Sequence, residues 1–428
     1  MTSHDDAVGL GKVAKGSARR RDLDLMRTFV VMGLFFFHSA RVFDTTEWYV
    51  KNDRTSEIVD VLLSFAAMWG MPLLFVVSGM GIWYSLRSRT IGAFAGERVR
   101  RLLVPLVFGL LVIVPPQVWT WLRGDPDYDE SYWAFLPRFF DVKLTLGSFP
   151  FVLGDDPAAG LFEPGHLWFL VVLLAFSLLY LPVFWYLRQP AGRGLVKRLA
   201  QHSDHLWVIA AAGLPFGVLD AVFGNDVNLA GWSRYSYALF ILYGYTMAAD
   251  RRFGRALHRH RKGVLLLAAA TFVVVGALFA IGGDREGSDV MLDYDAVSVA
   301  MRVIRGVSGW LWVAAIMGFA SVSTKPKLTA NTANRKPTVL DRFSAYTSEA
   351  VLPIYVLHQT VIVLLGFYVV TWPINSGLRY VAIVLTSMVT AFVIYDVAVR
   401  RTRLTRFVFG MKPPARDEAQ HAGEIDPA

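Results

Sequence analysis

The 428-residue chain contains no cysteine. That absence removes a disulfide framework, a thiolate zinc site and a cysteine nucleophile together. Charge is scarce as well: charged residues make up 18% against 54% hydrophobic, and the mean hydropathy of +0.42 exceeds what one soluble core can enclose. Sustained basic helices and aromatic-interleaved platforms are missing, so the formal net charge of +9 does not point to nucleic acid. No internal repeat of the kind that marks many transporters is visible. The first apolar run lacks a small-residue cleavage pattern and carries Arg27, His38 and Arg41, so it reads as a retained helix and not a signal peptide.

What is abundant is apolar sequence in blocks. A bilayer crossing takes about 20 residues at about 1.5 Å each. Ten runs qualify: 25–43, 58–86, 102–122, 166–187, 206–223, 234–249, 263–283, 300–321, 350–371 and 379–399, the sixth being short and rich in Tyr. The expected architecture is therefore all-α, a polytopic membrane bundle of about ten helices. About 31 of the 43 Lys and Arg fall in the segments on one side and about nine on the other. Because basic residues accumulate in cytoplasmic loops, both termini are expected in the cytoplasm. The chain divides into a basic tail (1–24), a transmembrane domain (25–400) and a flexible tail (401–428). The polar loop at 324–338 is expected to be flexible too, and the long segment 123–165 to lie along the outer interface.

Ionisable side chains within a span cost about 3 kcal/mol each and so are functional candidates. His38 stands about 13 residues into the first run, roughly 20 Å from its inner boundary. Arg27 precedes it by 11 residues, and that many steps of about 100° return to nearly the same helix face. A neutral imidazole can take a proton from a hydroxyl and return it, as acyl transfer to an alcohol requires; the simpler role is an interior histidine bonded to a neighbouring helix. His358, in LPIYVLHQT one turn after Tyr355, can bind substrate, orient the site or pack. His166, in GHLWFL, opens the fourth run, where an interfacial role is the alternative. Asp44, Glu47, Glu57 and Asp60 flank the outer ends of the first two runs, as partners for Arg41 or orienters of His38. Arg98 and Arg101 in ERVRRLLVP share one face of an α-helix. Their planar donor forks suit phosphate, although positive-inside anchoring accounts for many such residues.

Taken in order, these strings resemble the membrane-integral acyltransferase-3 superfamily, which includes bacterial O-acetyltransferases of surface polysaccharides and a glucan succinyltransferase branch. RRDLDLMR, followed by a run ending FFFHSAR, resembles the family opening and supplies Arg20, Asp22, Asp24, Arg27 and His38. FVVSGM supplies Ser78 and Gly79, RVRRLLVP supplies Arg98, Arg101 and Pro105, and GHLWFL with IYVLHQT supplies His166, Trp168, Tyr355 and His358. The resemblance covers roughly residues 20–400.

It implies an acyl-CoA-dependent O-acyltransferase of the bacterial plasma (inner) membrane, with His38 as catalytic base supported by Arg27 and Asp24. Cytoplasmic acyl-CoA, acetyl or succinyl, would be held near Arg98, Arg101 and Ser78. The hydroxyl of a glycan or other envelope acceptor would be met by His358, Tyr355, His166, Trp168 and Glu57. No metal is called for. No soluble esterase-like domain is expected after the spans, so an extracytoplasmic partner would be a separate protein. GHLWFLVVL is closer to the succinyltransferase-like branch. The competing class is a secondary transporter of a polar solute, which also uses intramembrane His and Arg.

Overall fold

The computed structural model describes residues 23–143, 149–151, 161–224, 229–283, 289–320 and 338–412. Arg20 and Asp22, the rest of the N-terminal tail to residue 22, the loop at 321–337 and the tail beyond 412 lie outside them. All regular structure among the described residues is helical. In chain order the helices are α1 (Leu23–Ala40), α2 (Glu57–Leu86), α3 (Ile91–Leu122), α4 (Tyr132–Phe139), α5 (Gly165–Leu179), α6 (Leu181–Arg188) and α7 (Pro190–His202). There follow α8 (Leu206–Phe223), α9 (Arg234–Ala249), α10 (Arg251–Gly283), α11 (Ala296–Ala320), α12 (Val339–Val369), α13 (Ser376–Val399) and α14 (Arg403–Val408).

Among the described residues, eight helices are long and apolar enough to cross a membrane: α1, α2, α3, α8, α10, α11, α12 and α13. The pair α5 and α6, bent by 50°, makes a ninth if it is one broken span. The tenth expected crossing is α9, with only 16 residues. Its buried residues surround the helix, and it crosses α2 where Gly79 lies against the Ile241 carbonyl and Gly244 against the Val76 carbonyl. A Cβ at either glycine would strike the other backbone, so the close approach needs both. A helix walled by protein is relieved of the apolar length that lipid demands. The glycine of the FVVSGM string thus has a packing role, and Ser78 beside it is buried.

The described residues group into two compact units. The first gathers those within Met1–Val30, Ser64–Phe94 and Phe176–Ser348. In it α10 runs along α11, and α11 packs on α8. Leu266, Val273 and Ile281 leave one side of α10 apolar and exposed, as a lipid-facing surface is. Arg302 and Arg305, buried on α11, form a clamp. Arg302 donates to the carbonyls of Met291 (2.8 Å) and Asp293 (2.7 Å), while Arg305 pairs with buried Asp220 at 2.8 Å and donates to the Gly231 carbonyl.

The second unit gathers those within Val31–Leu63, Ala95–Ala175 and Glu349–Ala428. Its α3 is not a uniform helix: π turns occupy Val99–Leu103 and Gly109–Ile113. Pro105, Pro115 and Pro116 lack the N–H that an α-helix requires, and the wider turns absorb the mismatch. The Val114 N–H bonds the Gly109 carbonyl at 2.9 Å and the Gln117 N–H bonds Val114 at 2.9 Å, which leaves the Ile113 carbonyl available to side chains. Within the stretch expected to be a tail, residues 401–412 carry the short helix α14. Thr402 caps α14, Arg406 is buried with donations to Glu349 (2.6 Å) and the Lys412 carbonyl (2.9 Å), and Gly410, at φ +67°, abuts the Arg101 carbonyl.

Candidate active site

Three of the expected site histidines converge in the second unit. His38 comes from the end of α1, His166 from the turn that opens α5, and His358 from the middle of α12. The rings stand in series, His38 to His358 with centroids 5.1 Å apart and His358 to His166 also 5.1 Å apart. Phe35, one turn before His38, meets His358 edge-on at 6.0 Å. Trp48, in the segment between α1 and α2, lies parallel to His38 at 6.0 Å.

The turn Gly165–Leu167 explains how His166 reaches the cluster. Gly165 has φ +50°, a conformation that costs an L side chain about 1–2 kcal/mol. It turns the chain so that the His166 Nε2–H donates to the Val356 carbonyl at 2.9 Å. A carbonyl only accepts, so this bond fixes the proton on Nε2 and makes Nδ1 the acceptor. Nδ1 faces the Gln117 amide at 3.4 Å. Gln117 also donates to Thr360 Oγ1 at 2.5 Å and accepts from Gln359 Nε2 at 2.9 Å, and the Thr360 hydroxyl donates to the freed Ile113 carbonyl at 2.7 Å. The Tyr355 hydroxyl donates to the His166 carbonyl. His166 and Tyr355 thus have their polar atoms engaged inside the protein.

His358 and His38 differ. The His358 Nδ1–H donates to the Tyr355 carbonyl at 2.6 Å, and its Nε2 is buried without a hydrogen-bond partner. His38 Nδ1 is likewise buried without a partner. No carboxylate among the described residues hydrogen-bonds His38. Asp44, almost wholly buried, is held by Arg41 and by Lys51 Nζ at 2.5 Å. Asp60 accepts from the backbone N–H and hydroxyl of Thr45 at 3.0 and 2.8 Å. Glu57 is exposed and has no ion pair or side-chain hydrogen bond among the described residues. Nearer the cluster, the Tyr49 hydroxyl donates to Glu163. Burial pushes the Glu163 carboxyl above its ordinary value, and the bond from Tyr49 works the other way.

Arg27 and Asp24 pair with each other at 3.2 Å, and Arg27 also donates to the Val77 carbonyl at 3.4 Å, its guanidinium set against Gly81. They belong to the first unit. Trp168 is buried at the start of the α-helical part of α5. Arg98 ends the first α-helical stretch of α3, whereas Arg101 lies in the π turn, exposed and 3.7 Å from Glu97. The wider turn rotates Arg101 away from the position that an unbroken α-helix would give it, so the shared face expected from the spacing is not kept. Gln117, Gln359, Thr360 and Trp48 were not singled out from sequence. An uncharged amide inside an apolar run, as in PPQVW and LHQT, is the signal that points to the two glutamines.

Comparison with known proteins gives the family. A family model described as "Acyltransferase domain" matches residues 20–396. The chain is also 21% identical, over 411 residues, to proteins named glucans biosynthesis protein C from Salmonella paratyphi B and Salmonella enteritidis, an alignment covering 94% of this chain and 97% of each relative. No solved structure matches. With helices long and apolar enough to cross a membrane, and the family match running through almost all of them, the chain is a multi-pass membrane protein that belongs to the acyltransferase-3 family.

Proposed function

We propose that this protein transfers an acyl group, acetyl or succinyl, from acyl-CoA to a hydroxyl of a glycan or other cell-envelope acceptor, with His38 as general base. The observation that carries the reading is the pair of buried imidazole nitrogens, His38 Nδ1 and His358 Nε2, without partners beside a network in which Gln117, Gln359, Thr360 and His166 are bonded. Other buried polar atoms also lack partners, but these two belong to imidazoles whose rings face each other 5.1 Å apart, and an imidazole can take up and return a proton. In the reaction the acceptor oxygen attacks the thioester carbonyl while His38 takes its proton. The C–S bond then breaks, and the same proton passes to the departing thiolate.

Acyl-CoA is the substrate on the cytoplasmic side in this reading, near Arg98, Arg101 and Ser78, and the acceptor approaches from the opposite face. The distribution of Lys and Arg supports that orientation in a bacterial plasma membrane, with both termini inside. Arg27 and Asp24, paired with each other at 3.2 Å, support the base in this reading. His358, Tyr355, His166 and Trp168 build the wall beside His38, and Glu57 faces the acceptor's solution. The likeness to the glucans biosynthesis proteins favours a glucan among the acceptors.

The test uses purified protein in lipid nanodiscs, offered acetyl-CoA or succinyl-CoA with linear β-glucan oligosaccharides, and product masses are recorded. Acylated oligosaccharide is expected with one donor, falling at least about 10³-fold in His38→Ala while the melting temperature and elution volume stay as in the parent. Transfer that persists in His38→Ala removes His38 as the base; solute uptake by proteoliposomes that bind neither acyl-CoA would favour a transporter.

A further inference from the structure

A neutral imidazole acts as a base through one nitrogen only while the other holds the proton. His38 Nδ1 is buried, whereas the residue as a whole keeps part of its surface exposed. A substrate hydroxyl therefore meets Nε2, and the proton must sit on Nδ1. A buried N–H without an acceptor is costly, and in general the bond made at one ring nitrogen decides which tautomer is present. No carboxylate hydrogen-bonds His38 among the described residues, so the group that usually sets a catalytic histidine's tautomer has to be replaced.

Resting on the acyl-transfer reading above, we propose that His358 is that replacement: a positioning residue whose Nε2 lone pair accepts the His38 Nδ1–H and thereby holds His38 Nε2 free as the base. His358 is fixed for the task by its own backbone. Its Nδ1–H is committed to the Tyr355 carbonyl at 2.6 Å, so in the neutral ring Nε2 is an acceptor, and Nε2 is the atom left buried without a donor. The spacing fits. Two imidazoles joined by an N–H···N bond of about 2.9 Å have centroids roughly 5 Å apart, and these stand at 5.1 Å with planes 49° apart.

His166 cannot take this part, because its Nε2–H is committed to Val356 and its Nδ1 faces Gln117. It serves as the far wall, 5.1 Å from His358. The titratable and charged groups around the pair are His166 from α5, Tyr355 from α12 and Arg41 just beyond α1. During transfer the Nδ1 proton stays in the His38–His358 bond. The proton taken from the acceptor hydroxyl enters and leaves at His38 Nε2, so His358 undergoes no net change.

The test is tautomer-resolved NMR on ¹⁵N-histidine-labelled full-length protein in nanodiscs, with His38 assigned by its loss in His38→Ala. Two variants separate chemistry from packing: His358→Phe keeps a ring and loses the acceptor, and His358→Gln restores an acceptor oxygen. Expected is an Nδ1-protonated His38 in the parent and in His358→Gln, with the proton moved towards Nε2 in His358→Phe. In the oligosaccharide assay kcat should fall about 10²-fold in His358→Phe with donor KM within about twofold, and His358→Gln should recover most of it.

An unchanged His38 tautomer in a folded His358→Phe overturns the proposal, as does equal loss in the Phe and Gln variants. Because the NMR readout needs no acyl acceptor, absence of transfer in the parent would count against the enzymatic reading alone.

Discussion

Two polar clusters sit inside the helical units; each keeps buried atoms unbonded, Asp220 Oδ2 and Arg305 Nε in one and His38 Nδ1 and His358 Nε2 in the other, so they differ in the groups that are bonded. In the first unit Arg302 and Arg305 direct guanidinium donors at loop carbonyls and at Asp220, so their charges hold Met291, Asp293 and Gly231 against α11. In the second, Gln117, Gln359, Thr360 and His166 are bonded around the rim, while His38 and His358 meet in the middle with nitrogens left over. The contrast separates polar residues kept for architecture from those kept for reaction. A guanidinium whose donors end on loop carbonyls and a carboxylate is a brace, whereas a neutral imidazole with an unbonded nitrogen beside a second such ring is poised to exchange a proton.

The comparison breaks most sharply at the brace. Arg305→Leu leaves Asp220 buried and unpaired and should cost about 3–5 kcal/mol, read from denaturant or thermal unfolding in detergent. A loss below about 1 kcal/mol would mean that the pair carries no structural burden. At the rim of the second cluster, Gln117→Leu strands the Gln359 amide and His166 Nδ1 and removes the donor to Thr360 Oγ1. It should cost about 1–3 kcal/mol and reduce acyl transfer by more than that stability loss explains. Equal falls in folded fraction and activity would make Gln117 architectural too.

The smallest effect is expected at the edge of the cluster. Glu163 titrates above the ordinary 4.5 because burial disfavours its charged form, while the Tyr49 hydroxyl offsets part of that shift. The folded protein therefore holds this proton more tightly than the unfolded chain, and Glu163's contribution to stability falls as pH rises from 4.5 through the raised value. In Tyr49→Phe the offset is gone, and the fall should extend to higher pH, seen as a displaced limb in the pH dependence of the melting temperature. Superimposable curves would show that the Tyr49 hydroxyl does not support the Glu163 carboxylate.

Much of this was legible in the residues because lipid imposes simple rules. The long apolar runs at 58–86 and 350–371 became α2 and α12, and the cost of an ionisable group in such a run singled out His38 and His358. His166 was harder to read, standing at the edge of its run, where an interfacial role was equally natural. What escaped follows from contacts between segments distant in sequence. The packing of α9 depends on Gly244 meeting Val76 from another helix, which no run length encodes. Arg98 and Arg101 have the spacing of a shared α-helical face, yet nearby prolines favour a π turn that spoils it. Gln117 carries no charge and so raises no alarm in a scan for costly residues, although it joins α3, α12 and the His166 turn.

Pro115 and Pro116 give this chain an unusual response to repair. An engineer seeking a hardier protein would replace them with alanine, which normally strengthens a helix interior by about 3 kcal/mol per site. Here the restored N–H groups would let α3 wind regularly and return the Ile113 carbonyl to its own helix, taking from Thr360 the oxygen that anchors the Gln117 network. A gain in helix regularity would loosen the wall behind the histidines. The imperfection in α3 is thus part of the site's construction, and thermostable variants sought by helix repair alone should lose turnover.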